Sequence, residues 1–144
     1  VIDTVVRKYL ESDVDYVSNI HPPTFPDGLD VEVFSREVLN VMWQQAKEKP
    51  EREHVTLYVE NHPRMFRSKN VQHQTDLSSK RWTLDEKEDY ELIRAICTAL
   101  YPDNPLFSMQ DIVAFLNNNP GLESINRQHV RNAGSVPQKQ PEKG

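Results

Sequence analysis

Glycine is scarce in this chain. Only Gly28, Gly121, Gly134 and Gly144 occur in 144 residues, so no phosphate loop or dinucleotide fingerprint can be drawn. Any nucleotide chemistry must find its phosphate cradle elsewhere. Cysteine is rarer still. Cys97 stands alone, which excludes an internal disulfide and fits a reducing, cytoplasmic setting. The five histidines, His21, His54, His62, His73 and His129, show no zinc spacing. There is no Gly-x-Ser-x-Gly elbow, no apolar run of membrane-spanning length and no opening signal peptide. Basic residues are outnumbered, 17 Lys and Arg against 22 Asp and Glu, for a net charge of −5. That balance argues against nucleic acid or an anionic membrane as the main partner.

What remains describes a soluble globular protein. The apolar fraction is 37% and the charged fraction 27%, and the length suits one domain with a real core. No internal repeat is present. The chain has no initiator Met. Ile2, Val5, Val6, Tyr9 and Leu10 give helical spacing from the first residues. This start predicts a piece cut from a longer protein.

Strands and helices alternate along the chain, which predicts an α/β layered fold. Val14 to Asn19 reads as a short strand. His21 to Gly28 is a loop stiffened by Pro22, Pro23 and Pro26, with an Asp27-Gly28 turn. Asp30 and Glu32 alternate with Val31 and Val33 in a second strand. Ser35 caps a helix whose apolar face is Leu39, Met42, Trp43 and Ala46. A third helix is expected from Pro50 to Asn61, although Val55, Leu57 and Val59 also alternate like a strand. Met65 to Val71 and Arg81 to Leu84 read as further strands. Glu86 to Leu100 is the strongest helix, with Leu92, Ile93, Ile96, Ala99 and Leu100 on one face. Ser108 and Asp111 form a capping box for a helix from Met109 to Asn117. Residues 135–144 are polar, hold Pro137 and Pro141, and are expected to be disordered.

Asp85 carries the most chemistry. It ends the Arg81-Trp82-Thr83-Leu84 run, where ligands gather in α/β sheets. It can serve as the N-cap of the next helix, with Glu88 at N3 completing the box. It can also ligate Mg²⁺ for phosphate chemistry, given a second carboxylate. The two uses are compatible, since a carboxylate has two oxygens. Pro26 to Phe34 has two uses as well, as a turn leading to a half-exposed strand or as a rigid substrate loop. In the second case Asp30 and Glu32 would receive sugar hydroxyls or a metal-bound water. His54, in Arg52-Glu53-His54-Val55-Thr56, is either a solvated helical residue or a substrate contact. Arg67 and Arg81 are surface ion-pair residues or binders of phosphate and carboxylate.

Five motifs in one order resemble a known family. They are Asp15-Tyr16-Val17-Ser18-Asn19, Pro22-Pro23-Thr24-Phe25-Pro26-Asp27-Gly28-Leu29-Asp30-Val31-Glu32-Val33-Phe34, Arg52-Glu53-His54-Val55-Thr56, Arg81-Trp82-Thr83-Leu84-Asp85-Glu86 and Arg131-Asn132. Together they are similar to the spore coat polysaccharide biosynthesis protein F type (SpsF-like) of cytidylyltransferase-like proteins. The resemblance covers residues 1–134 as the C-terminal, sugar-binding part. It implies part of a Rossmann-like nucleotide-diphospho-sugar transferase fold, a mixed sheet with flanking helices. It implies CTP and a sugar as substrates, with Mg²⁺ shared between Asp85 and a carboxylate upstream of Val1. It places Asp27, Gly28, Asp30, Glu32, His54 and Arg81 on the substrate side. It also allows a homodimer. One departure is Glu86-Lys87-Glu88, where relatives commonly have Glu-Pro-Glu. Without the nucleotide loop, the chain alone is expected to be inactive. The alternative is a non-catalytic α/β module that binds sugar or dimerises, and a purely structural domain is the third reading.

Overall fold

A computed structural model describes residues 1–129 and Arg131; the expected disordered tail, 135–144, and Asn132 lie outside them. The described residues form two compact units, one ending at Ser78 and the other beginning at Ser79.

The first unit opens with α1 (Ile2–Leu10), then β1 (Tyr16–Ser18), β2 (Glu32–Phe34), α2 (Arg36–Gln45), α3 (Lys49–Glu53), α4 (Leu57–Asn61) and β3 (Ser68–Asn70). β1 lies between the other two strands, antiparallel to β2 and parallel to β3. The register sets Val17 opposite Val33 and Lys69. This is the expected mixed sheet with flanking helices.

Alternation along β1 sends Tyr16 and Ser18 to one face and Val17 to the other. Tyr16 joins Val38, Met42 and Ala46 of the α2 region, Tyr58 and Val59 of α4, and Phe66 in the core. α1 packs across β1 and β2, and only its Val5 is wholly buried. Ile2 and Leu10, expected on the apolar face, are largely exposed. The apolar face of α2 is also rotated from the expected one. Val38, Met42 and Ala46 are buried, while Trp43 is 69% exposed beneath the Arg52 guanidinium, 4.0 Å from its ring.

The expected single helix from Pro50 to Asn61 is instead two short helices, α3 and α4. His54 adopts an extended C-cap conformation that ends the first. Both β-branched Val55 and Thr56 fall in the break, where their poor helix propensity has least cost.

The second unit contains α5 (Lys87–Leu100), α6 (Met109–Asn118) and α7 (Pro120–Glu123). Leu92, Ile96 and Leu116 are its most buried apolar side chains. Arg81–Leu84 was expected as a strand but forms none. Its polar groups turn instead to a buried carboxylate in α5.

Candidate functional site

That carboxylate is Asp89, which is completely buried. Arg81 donates through Nε at 3.1 Å and Nη2 at 2.9 Å, one bond to each oxygen. Thr83 Oγ1 donates at 2.6 Å and Asn126 Nδ2 at 2.7 Å. The backbone N–H groups of Asp85 and Glu86 both donate to Oδ2 at 3.2 Å. Burial alone pushes the carboxyl up, but the bonds from Arg81, Thr83, Asn126 and Asp85 outweigh it and hold Asp89 well below the usual carboxylate range.

This network moves the start of α5. Glu86 is the N-cap and Asp89 is N3, not Asp85 and Glu88 as expected. The reason is physical: Asp89 takes the N–H groups of residues 85 and 86, so the first turn begins one residue later. Asp85 is thereby left without a capping role. Its side chain is 71% exposed, and its Oδ2 accepts from Arg81 Nη2 at 3.2 Å. An exposed carboxylate can ligate a hard cation, here against the positive charge of Arg81 and of the helix N-terminus beside it. It is one ligand only. Among the described residues no three His, Cys, Asp or Glu side chains converge on a metal position.

The other expected site residues lie in the first unit. Leu29 N–H donates to the Pro26 carbonyl at 3.1 Å, closing the Asp27-Gly28 turn. Gly28 has φ 96°, which a type II turn needs at its third residue. Asp27 is buried and Asp30 exposed, and both make polar contacts. Glu32 is held at both oxygens, by the Tyr16 hydroxyl at Oε1 and by Thr56 Oγ1 at 3.1 Å at Oε2. Burial, with Glu32 adjoining, pushes the Tyr16 hydroxyl up from its ordinary value. His54 is exposed, two residues before Thr56. The structure thus gathers Asp27, Gly28, Asp30 and Glu32 in one segment, ties Glu32 to the 54–56 turn, and pairs Arg81 with Asp85.

The organising roles of two residues escape sequence reasoning. Asn19 is fully buried at the end of β1. Its Nδ2 donates to the Leu29 carbonyl at 2.9 Å and its Oδ1 accepts from Val31 N–H at 2.8 Å, so it fixes the far side of the turn. The signal was a polar residue directly after the Tyr16–Ser18 strand, but its partners lie 10 and 12 residues on. Asp89 gave no signal, because it sits in a run of charges that reads as a solvated first turn.

No family model matches the chain. It is 32% identical over 87% of its length to an uncharacterised protein of Methanocaldococcus jannaschii, covering 50% of that protein. It is 30% identical over 83% of its length to spore coat polysaccharide biosynthesis protein SpsF of Bacillus subtilis, covering 49% of it. The chain therefore spans about half the length of these curated relatives. A solved cytidylyltransferase from Leptospira borgpetersenii serovar Hardjo-bovis superposes with a TM-score of 0.77 at 25% identity. That likeness covers 89% of this chain and 52% of the other.

Proposed function

We propose that this chain, which belongs to the SpsF-like cytidylyltransferase family, is the sugar-binding part of a nucleotidyltransferase that moves a nucleoside monophosphate from CTP to a sugar. A sugar hydroxyl oxygen forms a bond to the α-phosphorus, the bond from that phosphorus to pyrophosphate breaks, and the hydroxyl proton is released. Mg²⁺ would neutralise charge on the phosphates. Asp85 would be one of its ligands, with a second carboxylate supplied from outside these 144 residues. Asp27, Gly28, Asp30, Glu32, His54 and Arg81 would serve the substrate side. Arg81 orients Asp85 and anchors Asp89 at once, and Asn19 and Asp89 act as positioning residues.

The observation that carries this reading is the exposed Asp85 carboxylate. Asp89 relieves it of the helix cap, so it is available for a cation. The test is pyrophosphate release from CTP and Mg²⁺ with a panel of sugars, using the longest chain the gene encodes. Asp85→Asn should cut the rate by on the order of 100-fold or more, as loss of a metal ligand does. Equal Mg²⁺-CTP binding and equal turnover in both forms would remove the metal role. Full-length protein that binds sugar yet releases no pyrophosphate would instead establish a non-catalytic sugar-binding module.

A further inference from the structure

We propose that Asn70, the last residue of β3, is a positioning residue: it fixes one stem of the loop 21–31 while Asn19 fixes the other, and so sets where Asp27 and Asp30 meet the substrate. β1 and β3 run parallel with Ser18 opposite Asn70, so the two asparagines stand at the same carboxyl edge of the sheet. Ligands of α/β sheets gather beyond that edge. That the loop serves the substrate rests on the transferase reading above; the clamp itself does not.

The prolines leave this loop few donors with which to anchor itself. Pro22, Pro23 and Pro26 fix their own φ angles but carry no N–H. They stiffen the loop without setting its angle to the sheet. At the first stem Asn70 supplies what is missing. Its Oδ1 accepts from His21 N–H at 3.1 Å, and its Nδ2 donates to the Pro22 carbonyl at 3.0 Å. A side-chain amide holds donor and acceptor in one plane, so the two bonds orient the stem as well as tether it. Asn19 repeats the arrangement at the second stem, with the Leu29 carbonyl and Val31 N–H. Asp27 lies between the two clamps and Asp30 inside the second.

Asn70 adds little to the core. It is half-buried, on a strand at the edge of the described sheet, and outside the apolar cluster around Tyr16. Its Oδ1 also lies 3.5 Å from Ser18 Oγ, across the strand pair. The residues that follow continue the attachment. Thr24 Oγ1 accepts from His73 N–H at 2.8 Å, and the Thr24 carbonyl accepts from Leu77 N–H at 2.9 Å. The rings of Phe25 and His73 meet edge to face at 5.3 Å. A loop held this way before substrate arrives lowers the ordering cost of binding. Loosening it should weaken substrate binding and leave the chemical step to the reacting groups.

The test uses the longest chain the gene encodes, with Asn70→Ala and Asn70→Asp. The second variant keeps the acceptor for His21 N–H and loses the donor to Pro22. Hydrogen exchange without substrate should be faster at Leu29 and Val31 in Asn70→Ala, while the Tyr16–Ser18 strand and the denaturation midpoint hold. In pyrophosphate release, the KM for the sugar should rise roughly tenfold in Asn70→Ala and about threefold in Asn70→Asp, for two lost hydrogen bonds and one. The kcat and the KM for CTP should not move. Unchanged exchange at Leu29 and Val31, or an unchanged sugar KM, would overturn the inference. A lowered midpoint with both KM values raised together would overturn it too, since a purely structural role gives that pattern. If no sugar releases pyrophosphate, the transferase reading fails alone and the exchange measurement decides the clamp.

Discussion

At the scale of single residues, Asp89 holds together parts of the second unit that are far apart in sequence. Asn126 reaches it from 37 positions away, and Arg81 and Thr83 from before the helix. Asp89→Asn would leave the Arg81 guanidinium, whose side chain is only 12% exposed, without its buried counter-charge. Breaking such a pair typically costs about 3–5 kcal/mol, and a denaturant titration should show a loss of that order. The same group sets an acid limit. Its carboxyl is depressed in the folded state, so its contribution is complete above the unfolded value near 3.8. That contribution is lost as pH falls through the lower folded value. Stability measured from pH 5 downward should therefore drop below about pH 4. Asp89→Asn should flatten that slope. A variant with an unchanged acid slope would show that the carboxylate is not the linked group.

At the scale of elements, local chemistry sets the helix starts that obey local rules. Ser35 Oγ accepts from Val38 N–H at 3.3 Å, and Ser108 shares a full capping box with Asp111. Ser35→Ala should destabilise the first unit by about 1 kcal/mol, visible as a shifted denaturation midpoint. An unchanged midpoint would mean that core packing alone holds α2. Both caps were legible in the sequence because every partner lies within three residues. The start of α5 was not. Asp85 and Glu86 are both carboxylates in a cap position, and the choice between them depends on a buried residue and on Asn126. The four residues Arg81–Leu84 alternate like a strand, yet Arg81 and Thr83 both point their polar groups at Asp89. So short an alternation does not separate a strand from an anchored loop. The turn at Asp27-Gly28 was legible for the opposite reason, since glycine at the third position is what its backbone requires. Within each unit the candidate residues followed the same division: Asp27, Gly28 and Asp85 stood out by local signals, whereas the roles of Asn19 and Asp89 depend on distant partners.

At the scale of the whole molecule, the chain matches about half of each curated relative and lacks a glycine-rich cradle. Among the described residues Gly28 is the one glycine at positive φ. These 144 residues should not retain CTP in an equilibrium binding assay, whereas the longest encoded chain should. Micromolar binding by the 144 residues would show that a phosphate site exists here without glycines. No described helix is long and apolar enough to cross a membrane.

The parallel pairing of β1 with β3 has a kinetic side. Tyr16 meets Ser68 only after the chain between them, carrying β2 and three helices, has been looped back. The entropy of closing that loop must be met before its contacts return anything. The β1–β2 hairpin-like pair can form first, clamped by Asn19. β3 should then be the last strand to gain protection during refolding, which makes the β1–β3 side of the sheet the last part of the first unit to take shape.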